Sequence, residues 1–194
     1  MEDVVVFVDD GFFGLVKKHF QKETKKRGCF LQTFRNICKN ENLNLKHLFF
    51  YTAPPYQNKI SDNKEDFLKK KYDLLVKMLK NKKWITVREG RCQRLKIGDE
   101  FKYFQKGVDS WIVADMCLMK EDFPEVKKII LISSDSDFAP IIKYLKERNK
   151  FEVILYTYFD KKRNSCFSLS NYLLQACSKW VRMTSSFFNG GENA

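Results

Sequence analysis

Two apolar runs in this sequence end in carboxylates. Val4-Val5-Val6-Phe7-Val8 stops at Asp9-Asp10-Gly11, and residues 128–133 stop at Ser134-Asp135-Ser136-Asp137. A further acid, Asp109, follows Lys106-Gly107-Val108. Short β-branched runs with no internal polar residue read as strands buried on both faces, and such strands occur mainly in parallel sheets. Ligands in open α/β sheets bind beyond the carboxyl ends of the strands. If these two strands are parallel neighbours, Asp9, Asp109, Asp135 and Asp137 converge at one edge. Crowded carboxylates raise one another's pKa unless a cation neutralises them. A donor set made only of oxygen favours Mg2+ or Mn2+ over zinc. Such an ion can lower the pKa of a water and stabilise a leaving oxygen, so the implied chemistry is phosphodiester hydrolysis.

Each acid also has a plainer reading. Asp9 and Asp10 precede a glycine and suit a turn or a helix cap, Asp109 suits an N-cap for residues 110–119, and Asp135 and Asp137 suit loop or cap positions. Asp115 lies about 120° around a helix from Asp109, so the two do not share a face and Asp115 is assigned a supporting or structural role.

The rest of the chain supplies a frame and a counter-charge. Its 194 residues fit one domain, expected over 1–185 with a tail at 186–194, and 44% hydrophobic residues exclude global disorder. Lys plus Arg number 36 against 24 Asp plus Glu, a net charge of +12, which points to an anionic partner. No apolar run is long enough to span a bilayer, and Glu2 and Asp3 precede the first apolar run where a secretory signal would be cationic. The six cysteines show no metal-binding spacing and the two histidines are far apart. These features predict a cytoplasmic protein with reduced thiols, no zinc and no membrane contact.

Periodicity predicts helices over 12–27 and 29–40, a strand at Leu45–Thr52, a helix at Asp66–Lys80 and a strand at Trp84–Glu89. It continues with a helix at 109–119, a strand at 128–133, a helix at 138–148, a strand at Phe151–Tyr158 and a closing helix at 169–182. This alternation predicts an α/β sandwich with a mostly parallel central sheet. Arg91, Arg94, Lys96 and Lys106 flank the acidic edge in sequence and are candidates for phosphate contact. Tyr56, Tyr103 and Phe104 are candidates for stacking on unpaired bases. Trp111 is placed in the core, and His19 and His47 are given structural roles. The aromatic surface leaves room for a homodimer, although no heptad supports one.

The pieces VFVDDGFFG at 6–14, FFYTAPPY at 49–56, KGVDSWIVADM at 106–116, ISSDSDFAPII at 132–142 and LLQACSKWVRM at 173–183 resemble, in order, the NYN domain family in its LabA-like branch. That family is related to the PIN-domain nucleases. The resemblance implies a Rossmann-like three-layer α/β/α sandwich, a Mg2+ or Mn2+ site and endoribonuclease activity on RNA. Carried residue by residue, its acids fall on Asp9, Asp109, Asp135 and Asp137 as catalytic metal ligands. Asp115 matches a further family acid, and Asp10, Ser134 and Ser136 take supporting positions. Departures are Asp10 in place of the usual Gly, Phe12 and Phe13 near the usual Asn, Ser134 for Gly, Thr52 for Asp and Ser178 for Asp. They leave open whether Asp9 or Asp10 is the main first-strand ligand. They also keep alive an RNA-binding or scaffold module with a degenerate, inactive site.

Overall fold

The computed structural model describes residues 1–24, 29–160, 165, 167–168 and 170–188. In chain order the elements are β1 (Glu2–Asp9), α1 (Asp10–Thr24), α2 (Phe30–Asn40), β2 (Leu43–Thr52), α3 (Asn63–Lys80) and β3 (Ile85–Glu89). Then come β4 (Arg91–Ile97), β5 (Glu100–Lys106), α4 (Val108–Asp122), β6 (Lys128–Ile132), α5 (Ala139–Asn149), β7 (Glu152–Thr157), α6 (Asn171–Ala176) and β8 (Lys179–Arg182). Six strands form a parallel sheet in the order β3-β2-β1-β6-β7-β8. β4 and β5 form a separate antiparallel hairpin.

The uninterrupted apolar run of β1 places it between β2 and β6, with Val4 through Val8 wholly buried. Side chains alternate across a strand with a period of two. Val4, Val6 and Val8 face one layer, where Phe13 and Val16 of α1, Phe34 and Ile37 of α2, and Phe188 pack. Val5 and Phe7 face the other, built on Ile112 and Met116 of α4, Ile142 and Leu145 of α5, and Leu173 of α6. The architecture is therefore helix, sheet, helix, the three-layer α/β sandwich expected from the alternation of elements. Local chemistry sets the helix ends. Asp62 accepts from the Glu65 backbone N–H at 2.7 Å, so α3 starts before Asp66. α4 follows Gly107 at φ 81°, a conformation in which a Cβ would be strained.

Several expectations need correction. The closing helix expected over 169–182 ends at Ala176, and residue 169 lies outside the described residues. Ser178 then donates its N–H to the Val153 carbonyl at 2.9 Å and accepts from the Val153 N–H at its hydroxyl, which starts β8 on the open edge of β7. An unpaired strand edge competes for backbone groups that helical periodicity alone does not register. The boundary expected at 185 falls too early, because Phe187 and Phe188 are buried against α1 and α2. Residues 25–27 of the first predicted helix and residues 189–194 of the predicted tail lie outside the described residues. Trp111 is not a core residue: it is 43% exposed, with the Arg88 guanidinium 4.9 Å above its ring. His19 meets the Tyr158 hydroxyl through Nε2 at 2.9 Å, and His47 meets the Thr86 hydroxyl at 2.8 Å. Among the described residues, no helix is long and apolar enough to cross a membrane.

The hairpin joins the sheet at a tight crossing. Gly90 donates its N–H to the Thr52 carbonyl at 2.8 Å. A Cβ at Gly90 would lie 2.5 Å from the Lys106 carbonyl oxygen and 2.8 Å from Val108 Cγ2. Backbone cannot yield as a flexible side chain does. Gly90→Ala is therefore expected to lower unfolding free energy by about 1–3 kcal/mol, the usual cost of overpacking. Urea denaturation checks this, and an unchanged midpoint would show that the junction has slack.

Candidate active site

Strand phase decides where the first acids point. Asp9 continues the Val5-Phe7 face of β1, and Ser133 continues the Ile129-Leu131 face of β6. Both therefore emerge in the α4 layer, on adjacent parallel strands paired through Val8 and Ile132. The Ser133 hydroxyl donates to Asp9 Oδ2 at 2.9 Å, and the Phe12 N–H donates to Oδ1 at 3.3 Å. Burial pushes the Asp9 carboxyl up to about 6, the two hydrogen bonds oppose that rise, and the negative charge of Asp109 adds to it.

Asp109 is not the cap of its helix. Gly107 holds that position, and Asp109 lies in the first turn of α4 at the rim of the site. Its carboxyl is raised first by partial burial and then by the charges of Asp135 and Asp137. Asp135 does act as a cap: its Oδ1 accepts the Asp137 N–H at 2.9 Å and stabilises the turn Ser136–Phe138. Ser134 and Ser136 flank it, half-buried. The hydroxyl that reaches Asp9 belongs to Ser133, the last residue of the predicted strand 128–133. Its signal was available in the alternation of 129, 131 and 133.

The four acids are thus coupled in a chain, from Asp9 to Asp109 and from Asp109 to Asp135 and Asp137. Among the described residues, no three His, Cys, Asp or Glu side chains are placed to hold a metal directly. Mg2+ commonly binds through one or two carboxylates and keeps several waters. The all-oxygen donor set here, with the half-buried Asp9 carboxylate at its base, has the chemistry of a hydrated hard ion's ligands rather than of a closed protein cage.

Asp10 and Asp115 serve elsewhere. Asp10 turns away from Asp9 and accepts from the Thr52 hydroxyl at 2.8 Å, its carboxyl raised by burial and lowered by that bond and by Lys17 and Lys18. Asp115 is buried, accepts from the Tyr51 hydroxyl at 3.0 Å, and takes two bonds from Arg88 at 3.0 and 2.8 Å. This network ties α4 to β2 and β3. A further polar group comes from β5: a Cβ at Gly11 would stand 3.1 Å from Asp9 Oδ1 and 3.2 Å from Gln105 Oε1, so Gln105 borders the acid. Sequence reading missed it because only the folded hairpin brings it back.

The four basic candidates divide between the two faces of that hairpin. Residues directly opposite in an antiparallel pair share a face. Arg91 pairs with Lys106 and Gln93 with Phe104 on one face. Cys92 with Gln105, Arg94 with Tyr103 and Lys96 with Phe101 share the other. Phe104 therefore does not join Tyr56 and Tyr103, and Phe101 takes that place. Arg94 lies between the rings of Tyr56 at 4.7 Å and Phe101 at 4.4 Å, and donates to Asn58 Oδ1 at 2.7 Å.

The raised Asp9 carboxyl has a signed consequence for stability. Between about pH 4 and 6 the folded protein binds more protons at Asp9 than the unfolded chain does. Metal-free stability therefore falls as pH rises through that window, and nearly the full penalty, of order 3 kcal/mol, is present at pH 7. In chelator at pH 7, Asp9→Asn is expected to melt higher than wild type, with a flatter dependence between pH 4 and 6. A lower melting temperature at pH 7 would show that the bonds from Ser133 and Phe12 outweigh the buried charge.

Comparison with known proteins agrees with this frame. The fold matches a crystal structure of a protein of unknown function from Vibrio parahaemolyticus RIMD 2210633, with a TM-score of 0.60 at 16% identity, over 96% of this chain and 95% of that one. At that identity the likeness speaks to the fold alone. None of the curated proteins matches the chain. The NYN domain family matches residues 27–181, a span that holds Asp109, Asp135 and Asp137 and begins after Asp9 and Asp10. Its members are generally nucleases of the PIN-like superfamily. With most of its length inside that match, the chain belongs to the NYN domain family.

Proposed function

We propose that the protein is a metal-dependent endoribonuclease that hydrolyses RNA phosphodiester bonds. The observation that carries this reading is the half-buried Asp9 carboxyl, which feels Asp109 as Asp109 feels Asp135 and Asp137, at the carboxyl ends of two adjacent parallel strands. Asp9 and Asp109 are both held above the usual carboxylate range there, an electrostatic penalty that a cation would relieve. Asp9, Asp109, Asp135 and Asp137 would hold Mg2+ or Mn2+ together with water. The ion would supply water activation and charge neutralisation at the phosphoryl oxygens. The chain itself fixes the orientation of Asp9 through Ser133 and Phe12, sets the depth of Asp109 through the Asp115-Arg88 pair, and offers Gln105 as an uncharged hydrogen-bonding group beside Asp9. Lys96 and Lys106 on the hairpin would attract the phosphate backbone. The conditions expected are cytoplasmic.

One observation favours a second reading, an RNA-binding or scaffold module with an inactive site: no three acids close on one point among the described residues. Cleavage of mixed single-stranded and structured RNA separates the two. Wild type is expected to cut with Mg2+ or Mn2+ and not in EDTA. Asp109→Asn is expected to lower the rate at least about 100-fold, the scale seen when one electrostatic stabiliser is removed, while remaining folded. RNA binding without cleavage in either ion would establish the scaffold reading instead.

A further inference from the structure

The hairpin face that carries Gln105 runs outward from the acids as a ladder. Gln105, Tyr103 and Phe101 alternate along β5 on that face, about 6.8 Å apart at the usual rise of a strand. That step is comparable to the phosphate repeat of an extended single strand. Gln105 Oε1 approaches Gly11 on the side where Asp9 Oδ1 also lies, so the inner end of the ladder is near Asp9. Tyr103 and Phe101 are 55% and 52% exposed, so each ring keeps about half its surface open to a ligand.

The rings are held in place before anything binds. Arg94 is stacked between Phe101 and Tyr56 and tied to Asn58, and Tyr56 meets Tyr103 with centroids 5.5 Å apart. Between this face and the segment leading into α3 lies a groove of about 380 Å³ bordered by Pro55, Tyr56, Leu68, Cys92 and Tyr103. Two acids at its rim are already engaged: Asp62 caps α3, and Glu65 accepts from the backbone and side chain of Asn58. The ladder face itself carries Arg94 and Lys96 and no acid. Flat rings, planar guanidinium and positive charge at single-nucleotide spacing complement a chain that is anionic along its backbone and aromatic at each repeat. A duplex keeps its bases stacked inside and cannot use such rings.

We infer that the β4–β5 hairpin is a stacking platform for unpaired RNA, leading a single strand from Phe101 past Tyr103 to the acids beside Gln105. The inference rests on the nuclease reading for its direction, and it specifies the substrate as single-stranded at the site.

The test measures binding in EDTA, so that no cleavage intervenes. The probes are fluorescein-labelled oligouridylate of about 12 nucleotides, within the ~4–16 nucleotides that small single-strand-binding folds cover, and an RNA duplex of the same length. Wild type should bind the single strand more tightly than the duplex. Tyr103→Ala and Phe101→Ala should each weaken oligouridylate binding about tenfold or more, with the salt dependence unchanged because no charge is lost. Tyr103→Phe should restore binding to within about twofold of wild type, since the ring remains. Lys96→Ala should instead flatten the salt dependence. These side chains are exposed, and unchanged melting temperatures would show that the variants fold. Equal affinity for duplex, or alanine variants that bind as wild type does, would overturn the platform even if the protein cleaves RNA. A wild-type dimer that Tyr103→Ala and Phe101→Ala convert to monomer, with RNA binding intact, would also overturn it and make the face a protein interface. If wild type never cleaves yet binding follows the rings, the platform stands and the nuclease reading falls.

Discussion

The site depends on one pairing: β1 and β6 lie side by side, parallel, in the register that sets Val8 opposite Ile132. Because strand side chains alternate, this register sends Asp9 and Ser133 into the same layer. A slip of one residue would move either one to the opposite face. The Ser133 hydroxyl then meets a half-buried carboxylate, and desolvation rather than neighbouring charge becomes the main force on its proton. A carboxylate so placed is a standing electrostatic debt, offset only in part by its two hydrogen bonds.

A second constraint keeps α4 at the depth this arrangement needs. Asp115, on the buried face of α4, is held by Arg88 from β3 and Tyr51 from β2. Only the carboxylate of this pair is buried, and its desolvation consumes much of the attraction, so the pair is weak evidence for net stability. It is directional, however. Two guanidinium bonds and one phenol bond fix the helix against two strands, and Asp109 in the first turn is carried with it. The stacking of Arg88 on Trp111 extends the same clamp to the surface and explains why that indole lies outside the core.

Charge is distributed with similar economy. The chain carries a net +12, yet its acids gather where parallel strands end and its hairpin bases spread over two faces. Arg94 shows how tertiary surroundings redefine a residue type. In sequence it is one more basic side chain. In the fold it is a flat layer between two rings, with one of its donors committed to Asn58. Gly90 permits the close backbone crossing at the base of the hairpin, and Gly107 the left-handed turn into α4.

Sequence by itself determined the frame. An apolar run with no polar interruption can only be satisfied by burial on both faces, so β1 and β6 were legible, and with them the sandwich and the acids at their ends. Chain alternation also carried the helices, because an amphipathic face has one place to go. What sequence left open was every choice that depends on a neighbour distant in the chain. Asp9 and Asp10 are equivalent as text, and only the partners Ser133 and Thr52 separate them. Lys179–Arg182 looks like the last turn of a helix until the free edge of β7 offers its backbone groups. Gln105, Phe101 and Tyr103 gain their meaning from a hairpin that folds back over Gly11. Local periodicity reports how much surface an element must bury. Tertiary structure decides against which atoms, because hydrogen bonds and charges act over a few ångströms of space rather than along the chain.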